Sequence, residues 1–460
     1  MKKIDKLYIW ALIVGTLLFS RYCKAQIIVG PITNPHPRLL MNNAELQTMN
    51  ARIVGRQQPW YSCMVSFSNR VSIAYAGSPS PYTGNDIQVF YPRTKIDSER
   101  ARDLALMYYL GGPDTYAQKA ISYLNAWATA NPTPALNFAI TSENGLLVAR
   151  FTLGMIWTYD LLYNHPAMTP QIKNNFESWL RILESVIKDC IQNWEDNDYY
   201  TKQYYQNHVV AHTMGLLAIG YAIGDVNLAQ FAIDHPDNPR DLVELIREAI
   251  FMPEDTPCIR DYSPDIWPVQ KGEIYDRYRH KTGPEKGLQY SHLTTRLLTF
   301  SAEMAFHNGL DFYSYTAPTG ENLELPMTFL ADFHRLKDAS IKGGYYFSNG
   351  HDESWRIGIA GDPTNFFELA FKRYPHNVEI AELLGSINRV SISLAQLDES
   401  LGDMVLIYGQ PLCWEGRVSA DINHDCKVNF QDLTYLVQSW LNCSVPFADS
   451  CQEGDVKISD

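Results

Sequence analysis

GLLVARFTLGMIWTYDLLYNHPAMTPQIKNNFESWLRILESVIKDCIQNW, residues 145–194, holds two apolar-periodic runs parted by one turn. Residues 145–163 and 170–194 both place apolar side chains at 3.6-residue spacing, which predicts α-helix rather than strand. His165-Pro166 marks the turn between them. Thr169 reads as an N-cap and Pro170 as a first helical position, where the missing proline N–H costs nothing. Two long helices joined by a short link make a helical hairpin.

The same texture continues on both sides. Helical spacing runs through Ser98 to Leu110, Thr115 to Ala130, Gln206 to Ile223, Asp241 to Phe251, Gly287 to Asn308, Pro326 to Lys337, Thr364 to Tyr374 and Asn377 to Leu394. Gly111-Gly112-Pro113, Asn131-Pro132 and His235-Pro236 separate the runs. Residues 27–95 are rich in Pro, Gly and Ser and read as a short helix, Asn43 to Val54, among loops. Gly343 to Ser348 is the one strand candidate. The fold class is therefore all-α, and two architectures fit: a repeat solenoid or a closed (α/α) toroid of helical hairpins. No fixed sequence period appears, which counts against the solenoid. A toroid gathers functional groups at helix ends and loops along one rim.

Hydrophobic residues make up 46% and charged residues 19%, so disorder and coiled coil are excluded for the chain as a whole. A formal net charge of −13 argues against nucleic acid as partner, because phosphate binding needs clustered Lys and Arg. The 28 Tyr and 10 Trp suit either a carbohydrate surface or an aromatic core.

Residues 1–25 run from basic (Lys2, Lys3, Lys6) to apolar (Leu7 to Phe19) to small (Cys23, Ala25), the order of a secretory signal peptide cleaved before Gln26. The apolar run is too short to span a bilayer, and no later segment reads as long and apolar enough to do so. Cleavage removes five Lys/Arg and one Asp, moving the net charge from −13 to −17. A secreted chain permits disulfides. Cys413, Cys426, Cys443 and Cys451 crowd the tail, while Cys63, Cys190 and Cys258 are scattered.

Several segments together resemble the alginate-lyase-like domain of polysaccharide lyases across roughly residues 36–375. They are His36-Pro37-Arg38-Leu39-Leu40, Tyr108-Tyr109-Leu110-Gly111-Gly112-Pro113 followed by Ala120 to Trp127, Asn207-His208 at a helix start, Gly287-Leu288-Gln289-Tyr290-Ser291-His292 opening a long helix, and Asn308-Gly309-Leu310-Asp311 closing it. The resemblance implies an (α/α) toroid acting on a uronic-acid polysaccharide by β-elimination, with Asn207, His208, Tyr290 and a preceding Arg as catalytic groups.

The chemistry wants these residue types. Elimination removes a weakly acidic C5 proton, so the adjacent carboxylate must be neutralised by donors such as Asn, His or Arg. A base takes the proton and an acid protonates the leaving oxygen. Asn207 would hydrogen-bond the carboxylate, His208 would be base or second neutraliser, and Tyr290 the acid and also a candidate base. Without the resemblance, Asn207-His208 is a helix cap beside a structural histidine, and Tyr290 one tyrosine of a buried helix start. Arg279 is the Arg of choice, with Lys286 and Arg277 as alternatives in the same basic loop, which would give a polyanion a local positive surface. His212, one turn after His208, shares its face and is a substrate-binding candidate. His-Val-Val-Ala-His lacks the Glu of a zinc-protease helix, so no catalytic metal is expected. Tyr91 and Arg93, read as part of a loop, and Trp355 are further sugar-binding candidates.

The tail carries a second signal. Asp421, Asn423, Asp425, Asn429 and Asp432 stand at positions 1, 3, 5, 9 and 12 of a loop, with the Lys427 carbonyl at 7. This is EF-hand-type spacing and suits calcium. It resembles a type I dockerin repeat, with Leu433 to Leu441 as the following helix and residues 449–460 as a degenerate second copy. The domain reading is thus 1–25 signal peptide, 26–405 toroid and 412–460 dockerin-like module, which implies a cohesin-like or cell-surface scaffold as partner. Two other functions compete with the lyase. One is glycoside hydrolysis, which needs two carboxylates, drawn from Asp160, Glu143, Asp352 and Glu353. The other is non-catalytic glycan binding.

Overall fold

The computed structural model describes residues 26–130, 138–198, 204–255, 269–277, 286–336, 366–390 and 403–412, with single helical positions at 430, 433, 434 and 437. Among them are α1 (Asn43–Val54), α2 (Trp60–Ala76), α3 (Ile87–Tyr109), α4 (Asp114–Ala130), α5 (Ser142–Leu162), α6 (Pro170–Asp196), α7 (Asn207–Ile223), α8 (Val226–Ile233), α9 (Leu242–Ala249), α10 (Lys286–His307), α11 (Glu324–Leu336), α12 (Phe367–Arg373), α13 (Val378–Ser386) and α14 (Met404–Tyr408). No strand occurs among the described residues. Gly343 to Ser348 lies outside them.

Inner and outer helices differ in their sequences. In α5 every residue but Glu143 and Arg150 is buried, and in α7 every residue but His208 and Ile223. Such helices are surrounded by protein. α6 instead buries one stripe: Phe176, Trp179, Leu180, Leu183, Val186, Ile187, Cys190, Ile191 and Trp194. That is the pattern of a helix with one face to solvent. The inner helices α3, α5, α7 and α10 pack in succession, with α4 and α6 against their outside. This alternation is the (α/α) toroid. Trp127, Trp157, Trp179 and Trp194 are fully buried, so much of the aromatic load is core.

α5 is also long and apolar enough to cross a membrane, contrary to the sequence expectation, but 89% of its apolar window is buried inside the protein. Its hydropathy comes from its central place in the toroid. Two helices appear where loops were expected. α2 fills residues 60–76, and α3 begins at Ile87 and runs through Pro92. Asp86 caps α3, its carboxylate accepting from the Gln88 N–H. Pro92 removes only the N–H that would reach the carbonyl of exposed Gln88, which water can satisfy. Tyr91 and Arg93 therefore sit on a helix.

The inner helices are parallel, and His36–Met41 closes the end where they finish. The Asp160 carboxylate, near the end of α5, accepts from the N–H groups of Arg38 (2.9 Å) and Leu39 (2.8 Å) and lies 2.6 Å from His36 Nδ1. Arg38 Nε donates to the Tyr221 carbonyl near the end of α7 (2.9 Å). His307, last in α10, donates through Nδ1 to the Leu39 carbonyl (2.8 Å), and Tyr109, last in α3, donates to the Leu161 carbonyl (2.6 Å).

Beside this plug lies an ion network. Arg373 grips Glu303 with Nε (2.8 Å) and Nη2 (2.5 Å), Lys372 meets Glu45 (2.5 Å), and His307 Nε2 meets Glu45 (2.8 Å). Ligand atoms of Glu45, Glu303 and His307 converge within 4.8 Å, as at a metal site. Lys372 and Arg373 already supply the positive charge there, so the group reads as a salt-bridge network. Burial pushes both carboxylates up, but His307 and Lys372 outweigh it at Glu45, and Arg373 and Lys372 at Glu303, leaving both below their ordinary value. Burial pushes His307 down, but Glu45 and Glu303 outweigh it and raise it.

The carboxylates contribute stability above the unfolded value of 4.5 and lose it as pH falls through their lower folded values. His307 contributes fully below 6.5 and loses this as pH rises through its raised folded value. The stability difference between parent and Glu303→Gln is therefore expected to peak between 4.5 and 6.5 and shrink on both sides. Urea titrations across pH measure it, and a difference flat with pH would remove the network from the account.

Candidate active site

At the opposite rim the inner helices begin. α7 opens with Asn207 and His208, and its N-cap, Gln206, makes no side-chain cap bond. A carboxylate from 69 residues later does that work. Asp276 accepts from the Asn207 backbone N–H (2.8 Å), from Asn207 Nδ2 (2.8 Å) and from Thr294 Oγ1 on α10 (2.6 Å). Asp276 is buried, as are Asn207 and Thr294. Tyr290 lies one turn before Thr294, on the same face of α10, and is half-buried. The network thus ties the first turn of α7 to the turn that follows Tyr290.

His208 is the one half-exposed residue in the first three turns of α7. Its Nδ1 lies 3.2 Å from the Ser142 hydroxyl at the start of α5, and its ring meets Trp194 edge-on at 5.1 Å. Ser142 holds the next histidine as well: His212 Nε2 donates to the Ser142 carbonyl (2.9 Å). His212 is fully buried, and burial pushes it down to about 4, so it is neutral. Gly145 must stay bare, because a Cβ there would come within 2.6 Å of His212 Nε2 and 2.7 Å of Cys190 Cβ.

Several sequence expectations change here. His212 does not line a cleft: burial and its bond to Ser142 make it a support for α5 and α7. Arg277 is fully buried and committed to Glu273 one turn earlier, so it is no free cation for a substrate. Asn207 is also fully buried, with its amide turned to Asp276, so direct donation to a substrate carboxylate is not what this arrangement presents. Tyr91 is half-buried and stacks on Phe151 (5.2 Å), and Arg93 lies over Tyr82 (5.6 Å). His292 lies in the core with Nε2 2.6 Å from His334 Nε2. Asp160, a carboxylate of the hydrolase alternative, sits at the far pole, and Glu143 is exposed. Arg279, the Lys286 side chain, Trp355, Asp352 and Glu353 lie outside the described residues. So do Asp421, Asn423, Asp425, Lys427, Asn429 and Asp432. Cys63 and Cys190 are both buried.

Asp276 and Ser142 were not singled out from the sequence. The available signal was the weak cap at Gln206, which leaves N–H groups of a buried helix start in need of an acceptor. Asp276→Asn is expected to cut kcat by about 10²-fold through misplacement of the first turn of α7, with KM little changed. Steady-state kinetics on the folded variant decide this; an unchanged kcat would leave Asp276 as a cap alone.

The alginate lyase family model matches residues 91–244, a span that holds Ser142, Asn207, His208 and His212 but not Asp276 or Tyr290. No curated protein matches the sequence. Solved structures do. A histidine-to-alanine variant of alginate lyase A1-III complexed with a tetrasaccharide aligns with TM-score 0.57 at 14% identity, over 83% of this chain and 98% of that one. Alginate lyase A1-III from Sphingomonas species A1 aligns with TM-score 0.55 at 15% identity, over 80% and 95%. An alginate lyase from Bacteroides ovatus aligns with TM-score 0.54 at 15% identity, over 81% and 99%. The chain therefore has the (α/α) toroid fold that these alginate lyases share, and over residues 91–244 it matches the sequence model of the alginate lyase family.

Proposed function

We propose that the chain is an exported polysaccharide lyase that cleaves a uronic-acid polymer, alginate or a glucuronan-like chain, by β-elimination. The observation that carries this is that half-exposed His208 and Tyr290 stand near the starts of adjacent inner helices, which Asp276 ties together through Asn207 and Thr294. His208, or the Tyr290 oxygen, takes the C5 proton. The C5 electron pair forms the C4–C5 double bond as the C4–O bond breaks. Tyr290 O–H protonates the leaving oxygen. The charge developing on the substrate carboxylate is met by cations of the basic loop, Arg279 or Lys286, since Arg277 is taken.

The order of charges and apolar residues over 1–25 supports export, and the spacing from Asp421 to Asp432 supports a calcium ion held there with no part in the chemistry. The same tail supports docking to a cohesin-like or cell-surface scaffold.

The test is product absorbance near ~235 nm, the signature of an unsaturated uronate, with alginate, polyglucuronate and pectate as substrates. New reducing ends without absorbance would mean hydrolysis, and neither signal would mean glycan binding alone.

A further inference from the structure

A cavity of about 170 Å³ opens beside the candidate active site, lined in part by Tyr205, Phe251, Tyr275, Glu248, Asp255 and Glu321. It adjoins the site through the chain itself, since Tyr205 lies two residues before Asn207 and Tyr275 immediately precedes Asp276. It is smaller than the roughly 300–1,000 Å³ of a drug-sized pocket and sized for one ring. We infer that it is a subsite for an uncharged sugar unit, so that a polymer in which uronate alternates with a neutral residue is preferred as substrate over chains that are uronate at every unit. The word substrate rests on the lyase reading above; the binding preference does not.

Charge carries the argument. Arg247, which also lines the cavity, is consumed: Nη2 meets Glu244 (2.6 Å) and Nε meets Glu248 (2.8 Å). Three carboxylates remain, each with one oxygen engaged. Glu248 Oε1 is on Arg247, Asp255 Oδ2 accepts from the Met252 N–H (2.6 Å), and Glu321 Oε2 accepts from Thr319 Oγ1 (2.6 Å). Their other oxygens, Glu248 Oε2, Asp255 Oδ1 and Glu321 Oε1, have no hydrogen-bond partner among the described residues.

Glu321 is only 3% exposed, so its acceptor is spent on the cavity or on nothing. Sugar hydroxyls are donors that such oxygens bind with charge assistance. A uronate carboxylate would face like charge at short range. A single metal ion does not fit: among the described residues the group whose Asp, Glu and His ligand atoms converge within 4.8 Å is Glu45, Glu303 and His307, not these three. The rings of Tyr205, Tyr275 and Phe251 meet one another at 5.8 and 6.0 Å and give the cavity an apolar wall for the C–H face of a sugar.

Two probes separate the possibilities: polyglucuronate, charged at every unit, and hyaluronan, in which glucuronate alternates with an uncharged N-acetylhexosamine. The full chain is expected to favour hyaluronan by at least about tenfold in kcat/KM. Glu321→Gln combined with Asp255→Asn is expected to shrink that ratio by about tenfold, chiefly by raising turnover of polyglucuronate. Preference for polyglucuronate in the parent, or a ratio the variant leaves unmoved, overturns the inference. Asp255→Asn alone serves if the double variant does not fold. If neither polymer, nor alginate or pectate, yields the unsaturated product, the lyase reading fails, and calorimetric titration of hexasaccharides of both polymers still decides the subsite. Tighter binding of the hyaluronan fragment, lost in the variant, supports it; equal or weaker binding overturns it.

Discussion

Replacing Tyr290 by Phe is expected to lower kcat by about 10³-fold, within the range that positioned proton transfer supplies. The change deletes one oxygen from a half-buried side chain near the start of α10 and leaves its ring in contact with the core. Stability should therefore move by no more than roughly 0.5 kcal/mol, as for other substitutions outside the core. The measurement is the initial rate of absorbance rise on the best polymer, beside urea unfolding of the same preparations. His208→Ala should fall alongside it, because its imidazole is the other group placed to move a proton. A Tyr290→Phe enzyme of parental rate would transfer the acid to another residue. An inactive His208→Ala beside it would then keep the site where it is and change only the assignment of the acid.

The largest stability effect is expected at the other pole. Asp160→Ala removes the acceptor for the N–H groups of Arg38 and Leu39 and the partner of His36, all buried. Orphaned buried donors cost about 1–3 kcal/mol each, and removing one side of a buried charged pair costs about 3–5 kcal/mol. A loss of roughly 3–5 kcal/mol is expected, seen as a lower urea midpoint at unchanged slope. Activity per folded molecule should stay near the parent value, since the site is at the opposite rim. The reverse result, a stable and inactive protein, would place Asp160 in the chemistry and revive the hydrolase alternative.

These two effects mark what the sequence made legible. Helices with an N-cap and a clear stripe were readable to within a few residues; Thr169-Pro170 at the start of α6 is the plainest case. Residues 60–76 and 87–95 read as loops because the stretch is rich in Pro, Gly and Ser, yet α2 and α3 occupy them. Only tertiary context tells a tolerated proline from a terminator. His208 and Tyr290 were legible as candidates because short motifs carry them. Asp276 and Ser142 were not, because their partners lie 69 and 66 residues away and no local spacing announces such a pair. Arg277 and His212 misled for the converse reason. Residue type suggests a cation and a ligand, but whether Glu273 or a backbone carbonyl has already claimed them is decided by packing.

The parallel set of inner helices has an electrical consequence. Each helix carries a dipole equivalent to roughly half a positive charge at its beginning and half a negative charge at its end. α3, α5, α7 and α10 all begin at the rim that holds Tyr91, Ser142, His208 and Tyr290, so their positive ends share one face. Their negative ends gather at the other, where Arg38 lies on the Tyr221 carbonyl and His307 closes α10. The molecule is polarised along its axis whatever its side chains add up to. A protein that is acidic overall can in this way offer a polyanion a favourable face, as long as the chain approaches end-on to the toroid and within a Debye length of that rim. Recolouring the outer surface with charge would alter how fast such a polymer arrives, and leave where it comes to rest to the backbone.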